Sequence, residues 1–177
     1  MQFKIAEVVR HPLEKVYRTN RDHLVDLVPY MPNVDSIEIL EAGETANGIR
    51  RVYRWKVSGA VPLAVRPFFN DKMLTYLDRN EWFDDARRVD WRFEIGMFAE
   101  AVSCHGSNHF TAGPAPDTTE IALTGRLDID LGKVRGVPRF LHGLASTVEN
   151  FVLENVRPNL VAVAVAVGRF LDAHPEI

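Results

Sequence analysis

The sequence lacks most of what would announce a reaction or a nucleic-acid partner. Cys104 is its single cysteine, which excludes an internal disulfide framework, fits a reducing compartment and suits a buried apolar thiol. No Lys/Arg block stands out from a formal net charge of -3, so the electrostatic footprint of a DNA or RNA binder is missing and no nucleic-acid partner is expected. No apolar run reaches the roughly 20 residues that cross a bilayer. The opening "MQFKIAEVVRHP" has no basic stretch leading into a long apolar one, and the expected location is cytoplasmic. A Gly-rich phosphate loop, a nucleophile elbow and HExxH are all absent, so catalysis has no positive signal and no cofactor is expected. "CHGSNH" carries two histidines, but on a strand His105 and His109 stand roughly 13 Å apart, too far to share one ion, and no metal site is expected. Internal repeats and low-complexity linkers are absent as well.

What is present is apolar patterning. With 177 residues, 46% of them hydrophobic, the chain can bury a real core and is expected to form one domain over 1–177. Phe3, Ile5 and Val9 alternate with Gln2, Lys4, Ala6 and Val8 as a first strand, weakened at Glu7. Pro12 opens a helix with Leu13, Val16 and Tyr17 at helical spacing, and Leu24, Leu27 and Val28 make a second. Asn20 or Asp22 can cap that second helix, and Pro29 and Pro32 are expected to stop it.

Period two then takes over. Ile37 and Ile39 start a strand, a hairpin turn centres on Asn47-Gly48, and Tyr53, Trp55 and Val57 form the large-residue face of the next strand. Further strands follow over "DKMLTYLDRNEWF", "RVDWRFEI", "FAEAVSCHGSNHFT" and "TEIALTGRLDID". About six strands joined by short turns imply an antiparallel sheet. An apolar stripe, Val137, Leu141, Leu144, Val148, Phe151 and Val152, then marks a C-terminal helix that Pro158 is expected to interrupt. "LVAVAVAVGRFLD" suits a strand by its alternation, but its alanines and its place after a helix favour a kinked continuation.

This order, with "VYRTNRDHLVDLVPYMPNVDSIEILEAGETANGIRRVYRW" leading two helices through a proline corner into the second strand, resembles the START-like, helix-grip (SRPBCC, Bet v 1-like) superfamily, in its polyketide cyclase/dehydrase-like branch. The resemblance covers nearly the whole chain. It implies an α+β fold in which a curved antiparallel sheet of about six or seven strands wraps a long C-terminal helix, with two short helices after strand one and a cavity between sheet and helix. It also implies binding or transport of a hydrophobic small molecule such as a lipid, isoprenoid or polyketide. Some relatives are instead cyclases or aromatases.

Three sets of residues are candidates for a site. Tyr53, Trp55, Tyr76, Trp82, Trp91 and Phe93 should face inward, where apolar walls with polar tips suit a lipid-like or aromatic ligand; ordinary core packing accounts for them equally. On "FAEAVSCHGSNHF", Glu100 and Asn108 share a face with Phe98, Val102, Cys104 and Phe110, and a polar group there would be a ligand anchor or simply a strand end meeting water. Asn108 is joined on the final helix by Phe151 and Asn155 as ligand contacts, with Asn159 and Arg51 as weaker anchors. A cyclase would need Glu100 or His109 within reach of substrate as acid or base. Lastly, the connection "SGAVPLAVRPFFND" carries Leu63, Val65, Phe68 and Phe69, which fit a lid over the cavity, a transient contact with a membrane surface, a homodimer or other docking surface, or a satellite core.

Overall fold

The computed structural model describes residues 1–58, 74–95, 101–130, 133 and 145–177, with the side chains of 145–157 and 159 outside the description. Strand β1 (Gln2–Val9) is followed by helix α1 (Leu13–Asp22), a 3-10 helix here called α2 (Leu24–Tyr30), strands β2 (Val34–Thr45), β3 (Gly48–Val57), β4 (Thr75–Phe83), β5 (Arg88–Glu94), β6 (Val102–Ala112) and β7 (Thr119–Ile129), and helix α3 (Ala145–Ala173). The strands form a seven-stranded sheet of order β1-β7-β6-β5-β4-β3-β2, and every pairing is antiparallel. Six strands therefore run as a meander, while α1 and α2 carry the chain from one sheet edge to the other. Register shifts at Val34/Ser36 and Ile39/Glu41 mark bulges in the edge strand β2, a device that bends a strand and increases its twist.

Local chemistry explains the elements, with four departures from expectation. Asn20 and Asp22 belong to α1 itself. The α2 N-cap is His23, which makes no side-chain capping bond, and Pro29 lies inside α2 rather than ending it. A short 3-10 turn admits proline more readily than an α-helix interior, since fewer backbone donors are engaged. The β2–β3 turn falls on Ala46 and Asn47, one residue earlier than Asn47-Gly48, because Thr45 pairs with Gly48 and the glycine already belongs to β3. Helix α3 continues through Pro158 without a break, and its Val/Ala run is helical: Ala164, Ala166, Val167, Phe170 and Leu171 are buried while Val165 is exposed. That burial follows the 3.6-residue period and rejects the two-residue one.

The corner at Met31 to Val34 is held by backbone bonds from Met31 to Val28 (3.0 Å), from Val34 to Met31 (3.1 Å) and from Ser58 to Asn33 (3.0 Å). It seats Leu24, Leu27, Met31 and Val34 in the main core with Val16, Tyr17, Trp82, Phe110, Val167 and Phe170. A second cluster, centred on Trp91, Cys104, Leu123 and Leu127, meets Leu160 and Val161 of α3. Helix α3 packs against α1, α2, β1 and β7. Among the described residues, no helix is long and apolar enough to cross a membrane.

Candidate functional site

The inner face of the sheet is built in cross-strand rows. Register aligns Tyr53, Asp78, Phe93, Cys104 and Leu127 across β3 to β7, and next to them Trp55 faces Tyr76. The aromatic rings of this region form a chain. Trp55 stacks on Tyr76 (centroids 5.9 Å apart, planes at 10°), Tyr76 meets Phe93 at 5.1 Å, and Phe93 stacks on Trp91 at 4.8 Å. Trp91 can lie flat on the sheet because its neighbour across β6 is Gly106: a Cβ there would come within 2.5 Å of the indole. The Trp91 indole N–H donates to Asn108 Oδ1 at 2.9 Å, so the structure brings together two of the residues singled out from sequence.

Trp82 is in a different place. It meets Tyr17 edge-on at 5.6 Å and Phe110 at 6.2 Å beneath α1, and is 1% exposed. The charged groups at the margin of this end are paired, although the buried Trp82 Nε1 and Thr19 Oγ1 make no hydrogen bond. Tyr17 donates to Asp84 at 2.8 Å, and Arg21 bridges Asp84 (2.6 Å) and Asp22 (2.8 Å). Arg51 donates to Asp22 at 3.1 Å and to the Arg21 carbonyl, which fastens the end of α1 to β3; its guanidinium also reaches Tyr53 Oη at 3.4 Å.

Asp78 is the residue that sequence reasoning missed. It is 5% exposed, its Oδ2 accepts from Asn80 Nδ2 at 3.2 Å, and its Oδ1 has no hydrogen-bond partner. Burial pushes its carboxyl up to about 7, against the Asn80 amide and the Trp55 indole, which favour the charged form. Trp55 Nε1 nevertheless makes no hydrogen bond of proper geometry. No cation pairs with Asp78 among the described residues. The signal was available in "TYLDRNEW": if Tyr76 and Trp82 face inward, a strand's alternation turns Asp78 and Asn80 inward as well.

Tyr76 supplies a second clue. Burial holds its phenol well above the usual range, with the charges of Asp78 and Cys104 adding, yet its side chain remains partly accessible. Phe93 is partly accessible too. Beside these rings Cys104 is buried and unpaired, and burial followed by the Asp78 charge pushes its thiol up to about 12.

The other candidates fall elsewhere. His109 is exposed, on the outer face with His105, so it does not reach the inner face as an acid or base. Glu100 and Phe98 lie outside the described residues, as do Leu63, Val65, Phe68 and Phe69; so do the side chains of Phe151, Asn155 and Asn159. An open groove of about 720 Å³ runs along α2 to the C-terminus, bordered by His23, Asp26, Tyr30, Ile37, Phe170 and His174, apart from the aromatic chain.

The architecture is that of a helix-grip α+β protein: a seven-stranded antiparallel sheet, short helices after the first strand, and a long C-terminal helix. Its structural neighbours are SRPBCC, Bet v 1-like proteins. The chain is similar to TTHA0849 from Thermus thermophilus (24% identity, TM-score 0.65, covering 98% of this chain and 99% of that one). It is also similar to the Zhui aromatase/cyclase from a Streptomyces species (19% identity, TM-score 0.67, covering 97% and 93%). A third neighbour, norcoclaurine synthase from Thalictrum flavum in complex with dopamine and hydroxybenzaldehyde, shares 16% identity at a TM-score of 0.62, covering 98% and 87%. No protein-family model matches the chain, and no curated protein matches it by sequence.

Proposed function

We propose that this protein binds a hydrophobic small molecule between the inner face of its sheet and the C-terminal helix. The observation that carries the reading is the chain of rings from Trp55 to Trp91, in which Tyr76 and Phe93 stay partly accessible. Aromatic walls with few polar groups suit an apolar or aromatic guest, and burial of its surface would supply most of the affinity at about 25 cal/mol per Å² before ordering costs. The fold supports the same reading, since a neighbour of this architecture is seen with two small aromatic molecules.

Native mass spectrometry of protein purified without detergent tests this. The expected result is a non-covalent adduct that is lost on denaturation and recovered as an apolar molecule by extraction. A protein that carries no adduct and also fails to bind N-phenyl-1-naphthylamine saturably would overturn the reading.

A cyclase-type activity is the second reading, favoured by Asp78 alone. A buried carboxyl shifted to about 7 can hold or release a proton near neutral pH. The chemistry would then lie on β4 and not at His109. An aldol closure or dehydration that survives Asp78→Asn at full rate would remove this reading.

A further inference from the structure

We propose that Asp78 and Trp55 form the polar anchor of the inner face and that they select a flat apolar ligand carrying a hydroxyl group. The inference rests on the binding function proposed above and names the class of molecule bound. Asp78 Oδ1 is a buried acceptor without a donor, and Trp55 Nε1 is a buried donor without an acceptor. They sit one register step apart on paired strands, where Tyr53 faces Asp78 and Trp55 faces Tyr76, and the indole is near enough to act on the carboxylate. The other carboxylate oxygen is already engaged by Asn80, which fixes the direction in which the free one points.

A buried acceptor and a buried donor that stand close yet do not bond each other with proper geometry are both completed by a group that donates one hydrogen bond and accepts another. An ammonium group satisfies only Asp78, and a carbonyl satisfies only Trp55 while the carboxylate stays ionised. A carboxylate ligand would set two anions side by side. A hydroxyl donates one bond and accepts another, and because its proton rotates it fits Asp78 in either protonation state. Trp55 lies parallel to Tyr76, with Phe93 beyond, so the apolar body attached to that hydroxyl meets ring faces and flatness is favoured. A group left unpaired in an apolar wall penalises any ligand that cannot complete it, which makes these two residues a specificity device as well as an anchor.

The test uses two molecules of nearly the same shape, 2-naphthol and 2-methylnaphthalene, each displacing N-phenyl-1-naphthylamine from the full chain. Hydrophobicity alone favours the methyl compound. The expected result is that 2-naphthol displaces the probe at about ten-fold lower concentration. In Asp78→Leu and in Trp55→Phe that preference should shrink to within about three-fold, while the methyl compound binds at least as well as before. The Trp55→Phe variant keeps a ring on Tyr76, so it reads the anchor even if Asp78→Leu fails to fold. Equal displacement by the two compounds in the unmodified protein overturns the anchor and leaves the binding function standing, as it would if Asp78 and Trp55 bonded each other or an ordered water completed the pair. A preference that persists in both variants does the same, because the hydroxyl is then recognised elsewhere. Failure of the probe itself to bind overturns the binding function and the anchor together.

Discussion

The two ends of strand β4 use the same residue types to opposite effect. At the α1 end, Asp84 meets Tyr17 and Arg21, and Trp82 is packed between Tyr17 and Phe110. Near the strand's start, Asp78 keeps an unpaired oxygen and Tyr76 remains partly uncovered. Burial works against the charge of both carboxylates. At Asp84 the hydrogen bonds from Tyr17 and Arg21 and the charges of Arg21 and Arg87 outweigh it and hold the group below the usual range, whereas Asp78 rises to about 7. A carboxylate met by cations and hydrogen bonds stabilises a fold, even beside an unpaired indole N–H such as that of Trp82. A buried carboxylate with an unpaired oxygen costs stability, and its retention fits a role in binding.

The contrast is broken most forcefully by truncation. Trp82→Ala should cost about 3–5 kcal/mol in chemical denaturation, because it leaves a hole in a closed core. Tyr76→Ala should cost only about 1–2 kcal/mol, because the ring is incompletely covered, while weakening binding of an apolar probe. Equal losses at the two sites would mean that both ends are ordinary core.

The next effect is of pH, and its sign differs between the carboxylates. Asp78 binds its proton more tightly when folded than when unfolded, so its contribution is fully present below about pH 4 and is lost as pH rises towards 7, on the order of 3–4 kcal/mol. Asp84 is depressed in the folded state, so its contribution is present above its unfolded value and is lost as pH falls through the folded one. Denaturation midpoints between pH 4 and 8 should therefore fall less steeply in Asp78→Asn than in the unmodified protein, and the variant should be the more stable at pH 8. A variant with an unchanged slope would show that Asp78 is not buried without a charge partner.

Smaller consequences follow on either side of the sheet. With its thiol pushed up to about 12, Cys104 should react with a disulfide reagent at pH 8 at least about 100-fold more slowly in the folded protein than in urea. Rapid modification would place that part of the inner face in open contact with water. On the outer face Arg54 and Glu38 pair at 2.9 Å with both side chains about half exposed, so removing them should change stability by less than about 1 kcal/mol in a double-mutant cycle.

Much of the fold was legible because a strand exposed on one face must alternate. Trp55, Trp91 and Cys104 fall inside and Arg54 and Lys56 outside, as their parity requires. The same rule would have found Asp78, but an aspartate in a strand reads as a solvent-facing residue unless its neighbours at two-residue spacing are followed through. The Val/Ala run of α3 satisfied two periods at once and was decided by what it packs against, namely α1, α2, β1 and β7. The separate fates of Trp82 and Tyr76 were not legible at all. Periodicity says which face a side chain takes and nothing about what covers it there.

The three tryptophans place a reporter in each region, since each indole N–H gives its own resonance. The most direct measurement is a proton–nitrogen NMR titration of the labelled protein with 2-naphthol. Binding at the inner face predicts shifts of the Trp55 and Trp91 indoles with the Trp82 indole, packed behind Tyr17 and Phe110, left in place. Shifts confined to Trp82, or to His23, Tyr30 and Phe170 around the outer groove, would contradict it.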